Sequence, residues 1–325
     1  INITSTVMPM SCEREFIPYL EKNFGLTNNK DFIITYNPHF IAQGTTFYNL
    51  KNPDILLMGS DAVEGKRILL KVYNKIYKNK SVFKHLSLLE AEITKLSVNA
   101  YVTNKISFSN YISSLCEKVE NTNASLILDV IGQDKRIGKS YMKVGTRFSG
   151  PCFPRDNKAL AFFTKKIKCN YNILDSVDKF NSQQTHRLVK IINSFTLKFN
   201  KRLNVGILGM SYKKDTNIIS DSQGLELLKK ISSKKLKINK TIVFDPYIKK
   251  YNDIGKFKSV FISKSIVSLV RLSDIILIMY KDDLFLRMQN IKTNKKKIII
   301  DCWAQLKKVR RPFMLHTLGK SLRYQ

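Results

Sequence analysis

The sequence predicts an α/β protein in three parts: an α/β segment, an α-helical layer and a doubly wound α/β domain. Short apolar runs alternate with helical patterns at the start of the chain, and this alternation returns after residue 200. Long stretches with helical periodicity lie between these two regions. We place the three parts at residues 1–85, 86–200 and 201–325.

The first part is predicted to alternate strands with helices. Residues 1–7, 31–36 and 54–59 are short runs rich in Ile, Val and Leu, each closed by Pro, Gly or Asn, as is typical of β-strands. Residues 11–23 and 60–79 carry apolar side chains at helical spacing, which predicts two helices.

The middle part is predicted to be helical. Residues 88–119 and 175–200 carry long helical periodicity, and a shorter helix is predicted at about residues 125–131. A glycine-containing loop is expected to follow this shorter helix and to reach Asp156, which would cap the next helix.

Four strands of the buried type are predicted in the last part. They lie at residues 204–210, 241–245, 273–280 and 296–301, with helical segments such as residues 222–231 between them. Strands that alternate with helices form βα units, and the strands of such units pair in parallel. We therefore expect a parallel, doubly wound sheet.

Composition and charge narrow the classes of function. No apolar run approaches the roughly 20 residues of a membrane helix. A membrane is therefore not an expected partner. The formal charge of +31 is spread along the chain without a nucleic-acid-binding motif, so a nucleic acid is not an expected partner either. The five cysteines are scattered and never spaced as C-x-x-C, which argues against a metal site and a disulfide framework. Because the sequence begins at Ile1 without a signal peptide, we expect a piece of a longer cytoplasmic protein.

The sharpest chemical signal is the segment SGPCFPRD at residues 149–156. Cys152 stands between a Gly-Pro and a Phe-Pro pair, just before a predicted helix whose positive end, together with Arg155, favours a thiolate. A thiolate in this position can attack a carbonyl carbon. From residue types alone, a structural cysteine in a turn is an equal alternative.

Two further segments carry weaker signals. Lys95 and Asn99 are four residues apart on a predicted helix and so share a face, where an ammonium and a carboxamide can polarise a hydroxyl or stabilise an oxyanion. A solvated helix face is the more common explanation of such a pair. Residues 205–215 end a strand with Gly-Met and continue into lysines, which suits the phosphate-binding edge of a parallel sheet.

Taken in order, these and other segments resemble the UDP-glucose/GDP-mannose dehydrogenase family over nearly the whole chain. The segments, with the family patterns in parentheses, are residues 5–7 (STVP), 37–44 with 52–54 (NPEF…EG…PDR), 92–99 (AExxKxxxNA) continuing to 110, 134–138 (DxRIG), 150–156 (GGSCFPKD), 206–216 (GLAFKxxTDD) and 244–246 (YDP). So many motifs in one order are highly specific.

The resemblance implies both a fold and a reaction. The fold would be a partial Rossmann-like NAD-binding domain that lacks its start, a central helical dimerisation layer and a C-terminal Rossmann-like domain that binds a UDP-sugar. The reaction would use NAD for two successive oxidations of a sugar C6 alcohol to a carboxylate, in the synthesis of polysaccharide precursors. UDP-glucose is the first substrate to expect, while UDP-N-acetyl sugars and GDP-mannose stay open.

The same resemblance implies a role for each matching residue. Cys152 would capture the aldehyde as a thiohemiacetal, later hold it as a thioester, and meet the cofactor. Lys95 and Asn99 would stabilise the oxyanion. Asp156 would assist proton transfer with a water that Thr6, itself a contact of NAD, would help to position.

Substrate contacts and a dimer are implied as well. Arg136 would reach the site of a neighbouring subunit, so a homodimer or higher homo-oligomer is expected. The residues expected to contact the UDP-sugar are Phe40, Ile41, Gln43, Arg136, Phe148, Gly150, Phe153, Tyr212 and Lys213.

Four departures from the family pattern concern cofactor and substrate contacts. No G-x-G-x-x-G occurs in the chain, so no pyrophosphate cradle is expected. His39 stands where the family has the catalytic Glu of NPEF, where an imidazole can still act as a base, and Gln43 replaces a second Glu. Ser220 stands where an arginine meets the cofactor, and Trp303 where an arginine meets the substrate.

These departures leave two main functions open. One is a dehydrogenase whose sequence has drifted. The other is a decayed, non-catalytic relative that keeps the fold and the dimer surface. A basic α/β protein that binds nucleic acid is a third and less favoured class.

Overall fold

The computed structural model describes residues 1–41, 44–77, 82–169, 171–234, 236–251, 254–255 and 257–321. The chain divides into two compact units. Unit 1 comprises Ile1–Tyr101 and Arg155–Leu174, and unit 2 comprises Val102–Pro154 and Asp175–Gln325. Each unit has a β-sheet of its own.

Unit 1 contains a mixed sheet of four strands among its described residues. In spatial order these are β1 (Asn2–Ile3), β2 (Thr35–Tyr36), β3 (Ile55–Gly59) and β4 (Val82–Leu86). β1 pairs in parallel with β2, and β3 pairs in parallel with β4, whereas β2 and β3 meet antiparallel at Tyr36 and Gly59. The strands predicted at residues 1–7 and 31–36 are therefore present but much shorter.

A proline shapes the first helical segment of unit 1. A π-helical turn (Cys12–Phe16) leads into α1 (Ile17–Phe24), and Gly25 ends α1 with a left-handed φ of +66°. Pro18 directly follows this π-helical turn and has no N–H to donate to the preceding turn. The helix predicted at residues 11–23 is therefore present without a break, with a π-helical turn inside it.

Three more helices begin in unit 1: α2 (Thr46–Lys51), α3 (Val63–Ile76) and α4 (Leu88–Cys116). The helix predicted at residues 60–79 corresponds to α3, and its last two residues lie outside the described part of the chain. Neither α2 nor β4 is predicted from the sequence, since a run of five or six residues shows little periodicity.

Unit 2 is built on a sheet of six parallel strands in its described residues. The strands are β5 (Leu203–Leu208), β6 (Ile238–Phe244), β7 (Val260–Ile262), β8 (Ile275–Ile278), β9 (Lys297–Asp301) and β10 (Phe313–Thr317). Their spatial order is β10-β9-β8-β5-β6-β7. The chain therefore runs outward from β5 to β7 and then from β8 to β10 on the other side, which confirms the predicted doubly wound sheet.

Strand β8 is apolar at every position because each of its faces contributes to a separate core. Ile275 and Leu277 of β8 belong to one buried cluster, whereas Ile276 and Ile278 belong to another. Alternate side chains of a strand point to opposite faces, so β8 is covered on both sides. Burial of each such side chain stabilises the fold by about 1.5–3 kcal/mol.

The remaining helices are α5 (Ala124–Gln133), α6 (Phe153–Lys166), α7 (Ile173–Lys198), α8 (Gln223–Ser233), α9 (Ile266–Leu272) and α10 (Asp283–Leu286). The loop predicted to extend to Asp156 is wrong at its end, because α6 already begins at Phe153. Pro154 is tolerated in the first helical turn, where no N–H donor is needed. Asp156 therefore lies within the first turn of α6 and does not cap it.

Gly224 of α8 allows this helix to contact the end of β5. A Cβ atom on Gly224 would lie 2.5 Å from the carbonyl oxygen of Gly209 and 3.1 Å from Met210 Cα. Both are backbone atoms that cannot rotate away. We expect Gly224→Ala to lower the free energy of unfolding by about 1–3 kcal/mol, measured by urea denaturation.

The matched control is Gly255→Ala, since no atom lies within 4 Å of a Cβ built there. This control should change the free energy of unfolding by less than about 0.5 kcal/mol. Equal effects of the two substitutions would contradict the close approach of α8 to β5.

Candidate functional site

The first group of candidate residues lies on α4 and after β2 in unit 1. Lys95 is buried on α4, and its Nζ donates a hydrogen bond of 3.0 Å to the carbonyl oxygen of His39. The same ammonium lies 4.2 Å from the centre of the Phe40 ring, a favourable cation–π contact. The structure therefore brings together three residues that the sequence analysis selected.

Asn99 lies about one turn further along α4 and contacts Asp156. Its Nδ2 donates a hydrogen bond of 2.6 Å to Asp156 Oδ2, and Arg155 Nε donates one of 2.8 Å to Oδ1. Asp156 is completely buried. Donors on both oxygens hold this carboxylate in one orientation, so it can act as a fixed hydrogen-bond acceptor.

Thr6 lies half-buried between β1 and the π-helical turn. The backbone that follows it is fixed by Glu92, a fully buried residue of α4. Glu92 accepts hydrogen bonds from the amide N–H groups of Met10 and Cys12, at 2.6 and 2.9 Å. Ile41 is 45% exposed, and the predicted substrate contact Gln43 lies outside the described residues.

The second group of candidate residues lies in unit 2, in the segment before Cys152. Cys152 is exposed and directly precedes the first residue of α6. Asn181 holds the Phe148 peptide from both sides: the Phe148 N–H donates to Asn181 Oδ1 at 2.8 Å, and Asn181 Nδ2 donates to the Phe148 carbonyl at 3.0 Å. Gly150 has a φ of +83°, and a Cβ there would lie 2.5 Å from the Tyr212 ring, so only glycine permits this contact.

Tyr212 and Lys213 follow the end of β5 in the same unit. Burial, with a smaller contribution from Cys152, raises the pKa of Tyr212 to about 12, so the phenol stays protonated at neutral pH and offers an O–H donor. Burial lowers the pKa of Lys213, although the charges of Asp215 and Cys152 oppose this effect. Lys213 Nζ lies 5.7 Å from the centre of the Tyr212 ring. An aromatic face beside an amine suits a nucleotide diphosphate.

Asp245, at the end of β6, fixes the turn that leads to Tyr212. Its Oδ2 accepts hydrogen bonds of 2.8 Å from the amide N–H groups of Met210 and Ser211 and from the Ser211 hydroxyl. The Tyr280 hydroxyl donates a fourth, at 3.2 Å. The sequence analysis places Asp245 in a motif but gives it no role. An Asp directly after a buried strand is the available signal, whereas Asn181 has none.

Two predicted substrate contacts have other partners in this chain. The Arg136 side chain is 88% exposed and forms an ion pair with Asp134, from NH2 to Oδ2 at 2.6 Å. Phe153 meets the ring of Tyr141 edge-on, with 6.3 Å between the ring centres. The role of Arg136 in a neighbouring subunit stays a prediction.

Trp303 and Ser220, which stand at expected arginine positions, differ in environment. Trp303 Nε1 donates a hydrogen bond of 2.8 Å to the carbonyl oxygen of Met279, directly after β8. A Cβ on Gly145 would lie 2.8 Å from the indole ring, so the ring occupies the space beside this glycine. Ser220 is exposed in the loop before α8.

The residues fit a nicotinamide dinucleotide only in part. Thr6 is half-buried beyond the end of β1, and its contact with the nicotinamide end stays a prediction. The sequence offers no glycine-rich strand–turn–helix for the pyrophosphate. In the described part of the chain, no cluster of three or more His, Cys, Asp or Glu residues could hold a metal ion. None of the described helices has the length and apolarity to cross a membrane.

His39 gives unit 1 a stability that depends on pH. Burial, and to a smaller extent the charge of Lys95, lower the pKa of His39 from its ordinary value of 6.5. The unfolded chain therefore takes up a proton at His39 at a higher pH than the folded chain does. The contribution of His39 to stability is present above pH 6.5 and decreases as the pH falls through this value.

We expect His39→Gln to lose less stability than the parent chain between pH 7.5 and pH 5, measured as the thermal midpoint at each pH. The reason is that glutamine has no proton to gain. Parallel curves for the two proteins over this range would contradict the lowered pKa.

Three comparisons place the chain among known proteins. The models of the UDP-glucose/GDP-mannose dehydrogenase family match its NAD binding domain at residues 1–78, its central domain at residues 89–183 and its UDP binding domain at residues 206–308. UDP-glucose 6-dehydrogenase of Rickettsia felis is 31% identical over 255 residues, which are 78% of this chain and 53% of that protein. The Rickettsia bellii enzyme is 32% identical over 76% of this chain and 54% of its own length.

Solved structures agree in fold. The UDP-glucose dehydrogenase of Pyrobaculum islandicum superposes with a TM-score of 0.85 at 22% identity, over 98% of this chain and 70% of that chain. A UDP-D-ManNAc dehydrogenase from Pyrococcus horikoshii gives a TM-score of 0.81 at 19% identity, over 98% and 72%. The chain spans about half the length of the curated relatives it matches. With all three domain models matched in order, the chain belongs to the UDP-glucose/GDP-mannose dehydrogenase family.

Proposed function

We propose that this chain provides the cysteine chemistry and the nucleotide-binding edge of an NAD-dependent 6-dehydrogenase that converts UDP-glucose to UDP-glucuronate. The observation that carries the proposal is Cys152, an exposed thiol directly before α6, in a segment that Asn181 holds at Phe148. A backbone held in this way keeps a nucleophile in place. The names of the Rickettsia relatives support UDP-glucose as the substrate.

The UDP group is assigned to the carboxyl edge of the parallel sheet of unit 2. β5 and β8 flank the point where the strand order reverses, and ligands of doubly wound sheets bind at this point. Tyr212 and Lys213 follow β5 and offer a ring and an amine, and Phe148 and Gly150 belong to the segment against Tyr212. The match of residues 206–308 to the family's UDP binding domain supports this assignment.

The chemistry assigned to Cys152 balances in four steps. The C6 alcohol loses a hydride from carbon and a proton from its hydroxyl to give an aldehyde, and the Cys152 sulfur adds to this carbon while the oxygen gains a proton, which forms a thiohemiacetal. Loss of a hydride from this carbon and of the proton from its hydroxyl leaves a thioester. Water then breaks the C–S bond, so the carboxylate leaves and the thiol is restored. NAD, when bound, accepts the two hydrides.

The residues of unit 1 are assigned to charge and proton handling. Lys95 and Asn99, with their ammonium and carboxamide, are assigned to the oxygen that becomes negative. Asp156 takes the proton of the attacking water, and Thr6 orients this water. The fixed orientation of Asp156 supports its role, since both of its oxygens already have donors in unit 1. His39, with its lowered pKa, is assigned to the sugar site as a neutral imidazole.

The wider assignments concern the assembly and the domains. We assign Phe40, Ile41 and Phe153 to contacts with the sugar, and Arg136 to the site of a neighbouring subunit in a cytoplasmic homodimer. The domain boundaries proposed from the sequence are residues 1–85, 86–200 and 201–325, and the three family matches, each of which lies inside one of these ranges, support them.

A second candidate is a non-catalytic relative that retains the fold. The environment of Trp303 favours it, because an indole beside Gly145 and bonded to Met279 takes the place of an arginine expected to meet substrate. The two candidates differ in ligand binding. Binding of UDP-glucose would mean that the nucleotide site is kept, as the dehydrogenase requires. Absence of binding would mean that the site is lost and would favour the non-catalytic relative.

Binding of UDP-glucose, measured by calorimetry, tests the nucleotide site. We expect the 325-residue chain to bind UDP-glucose, and Lys213→Ala to weaken binding by about tenfold, because a hydrogen bond to a charged group contributes about 1.5–3 kcal/mol. Lys229→Ala, on the exposed part of α8, is the control and should bind as the parent does. Equal losses for the two lysine variants would place the nucleotide elsewhere.

Turnover tests the whole reaction. Because the sequence has no pyrophosphate cradle, we expect the 325-residue chain with NAD and UDP-glucose to release no steady NADH, measured by absorbance. Steady release that Cys152→Ala abolishes would confirm the cysteine chemistry and would show that NAD binds without the glycine loop. Steady release that persists in Cys152→Ala would overturn the role of Cys152.

A further inference from the structure

Gln223 connects three segments of unit 2 through its side chain. It is the first residue of α8 and is 2% exposed. Its Nε2 donates hydrogen bonds to the carbonyl oxygens of Tyr212 at 3.1 Å and of Met279 at 2.9 Å. Its Oε1 accepts one of 2.5 Å from the hydroxyl of Ser149. One carboxamide therefore reaches the turn after β5, the end of β8 and the segment before Cys152.

The chemistry of the three partners explains why a carboxamide is required. Two of them are carbonyl oxygens, which need N–H donors, and the third is a hydroxyl, which needs an acceptor here. A glutamate at residue 223 would lack the donors, and a methionine of similar shape would lack both functions. Without the carboxamide, the Tyr212 carbonyl would lose the donor of Gln223, whereas the Met279 carbonyl would keep Trp303 Nε1.

The backbone under Gln223 is fixed on both sides. Ser222 caps α8, since its Oγ accepts a hydrogen bond of 3.1 Å from the Leu225 N–H. Gly224 lies against the carbonyl oxygen of Gly209 at the end of β5. The backbone of Gln223 is therefore held in place, and its side chain restrains the three segments to which it is hydrogen-bonded.

Ser149 is the point at which Gln223 meets the segment of the nucleophile. It lies three residues before Cys152, between Phe148, which Asn181 holds, and Gly150, which packs under Tyr212. The bond from Ser149 to Gln223 ties this segment to the Tyr212 turn and to β8 at the same time.

We propose that Gln223 is a positioning residue, which, through Ser149, docks the Cys152 segment onto the nucleotide-binding edge of the unit 2 sheet. The inference rests on the proposed function, in which Tyr212 holds the nucleotide and Cys152 attacks the substrate. Gln223 is assigned no contact with the nucleotide or with the Cys152 sulfur. It sets the distance between the place where the nucleotide is held and the thiol.

The test measures how freely the Cys152 segment moves, through the rate at which Cys152 reacts with the thiol reagent DTNB. Cys169 is the other exposed cysteine, so all proteins carry Cys169→Ser, and Cys152→Ala identifies the signal. We expect Gln223→Met and Ser149→Ala each to raise the rate about fivefold, because both remove the one hydrogen bond that ties Ser149 to Gln223. Ser149→Thr keeps the hydroxyl and should react at the rate of the parent.

The double variant Gln223→Met/Ser149→Ala separates positioning from general loosening. If both residues act through their shared hydrogen bond, the double variant reacts no faster than the faster single variant. Multiplied effects, or single variants that react as the parent does, would overturn the proposal. Ser149→Ala changes only a hydroxyl, so it decides the matter even where Gln223→Met fails to fold.

Saturating UDP provides a second readout in the same proteins. UDP held at Tyr212 favours the docked segment, so it should slow the reaction of Cys152 in the parent and lose this effect in Gln223→Met. Equal slowing in both proteins would mean that UDP shields the thiol directly, and the link through Gln223 would be rejected. The assay needs neither NAD nor turnover, so a chain that fails as a dehydrogenase still gives a result.

Discussion

One carboxylate oxygen, Oδ2 of Asp245, holds the carboxyl edge of the unit 2 sheet together. It lies after β6 and accepts hydrogen bonds from the backbone of the turn after β5 and from Tyr280 after β8. Three neighbouring strands of the sheet thus end on a single acceptor. Because Asp245 is buried, water cannot replace these donors, and the turn has one conformation. Tyr212 follows this turn, and its carbonyl oxygen accepts a hydrogen bond from Gln223.

The amino-acid sequence predicts the fold best where its signals are long or chemically specific. The strands of residues 273–280 and 296–301 stand out as apolar runs because both of their faces are buried, and α7 stands out because its periodicity extends over many turns. β7 and β10 escape prediction, since three to five residues at the sides of a sheet leave no periodic trace. The start of α6 escapes it because Pro154 suggests a loop, although a proline suits a first helical turn.

The candidate site is predictable only in part, for a physical reason. Cys152, Lys95, Asn99 and Asp156 stand in short sequence patterns, so the sequence alone is enough to select them. Asn181 and Gln223 are not selected, because each binds backbone carbonyls of distant segments. Every residue has such a carbonyl, so the sequence does not show which one is bound. His39 is visible as a departure, but the burial that lowers its pKa, with a smaller contribution from the charge of Lys95, belongs to the folded state.

Trp303 is the only tryptophan of the chain, and it lies where its indole N–H is bonded to the end of β8. Light emitted by an indole depends on the polarity and hydrogen bonding around the ring. The tryptophan emission of this protein therefore comes from one known place, beside Gly145 and the reversal point of the sheet. A residue that replaces an expected arginine thus makes the protein, without any added label, an optical reporter of the sheet edge to which we assign the nucleotide.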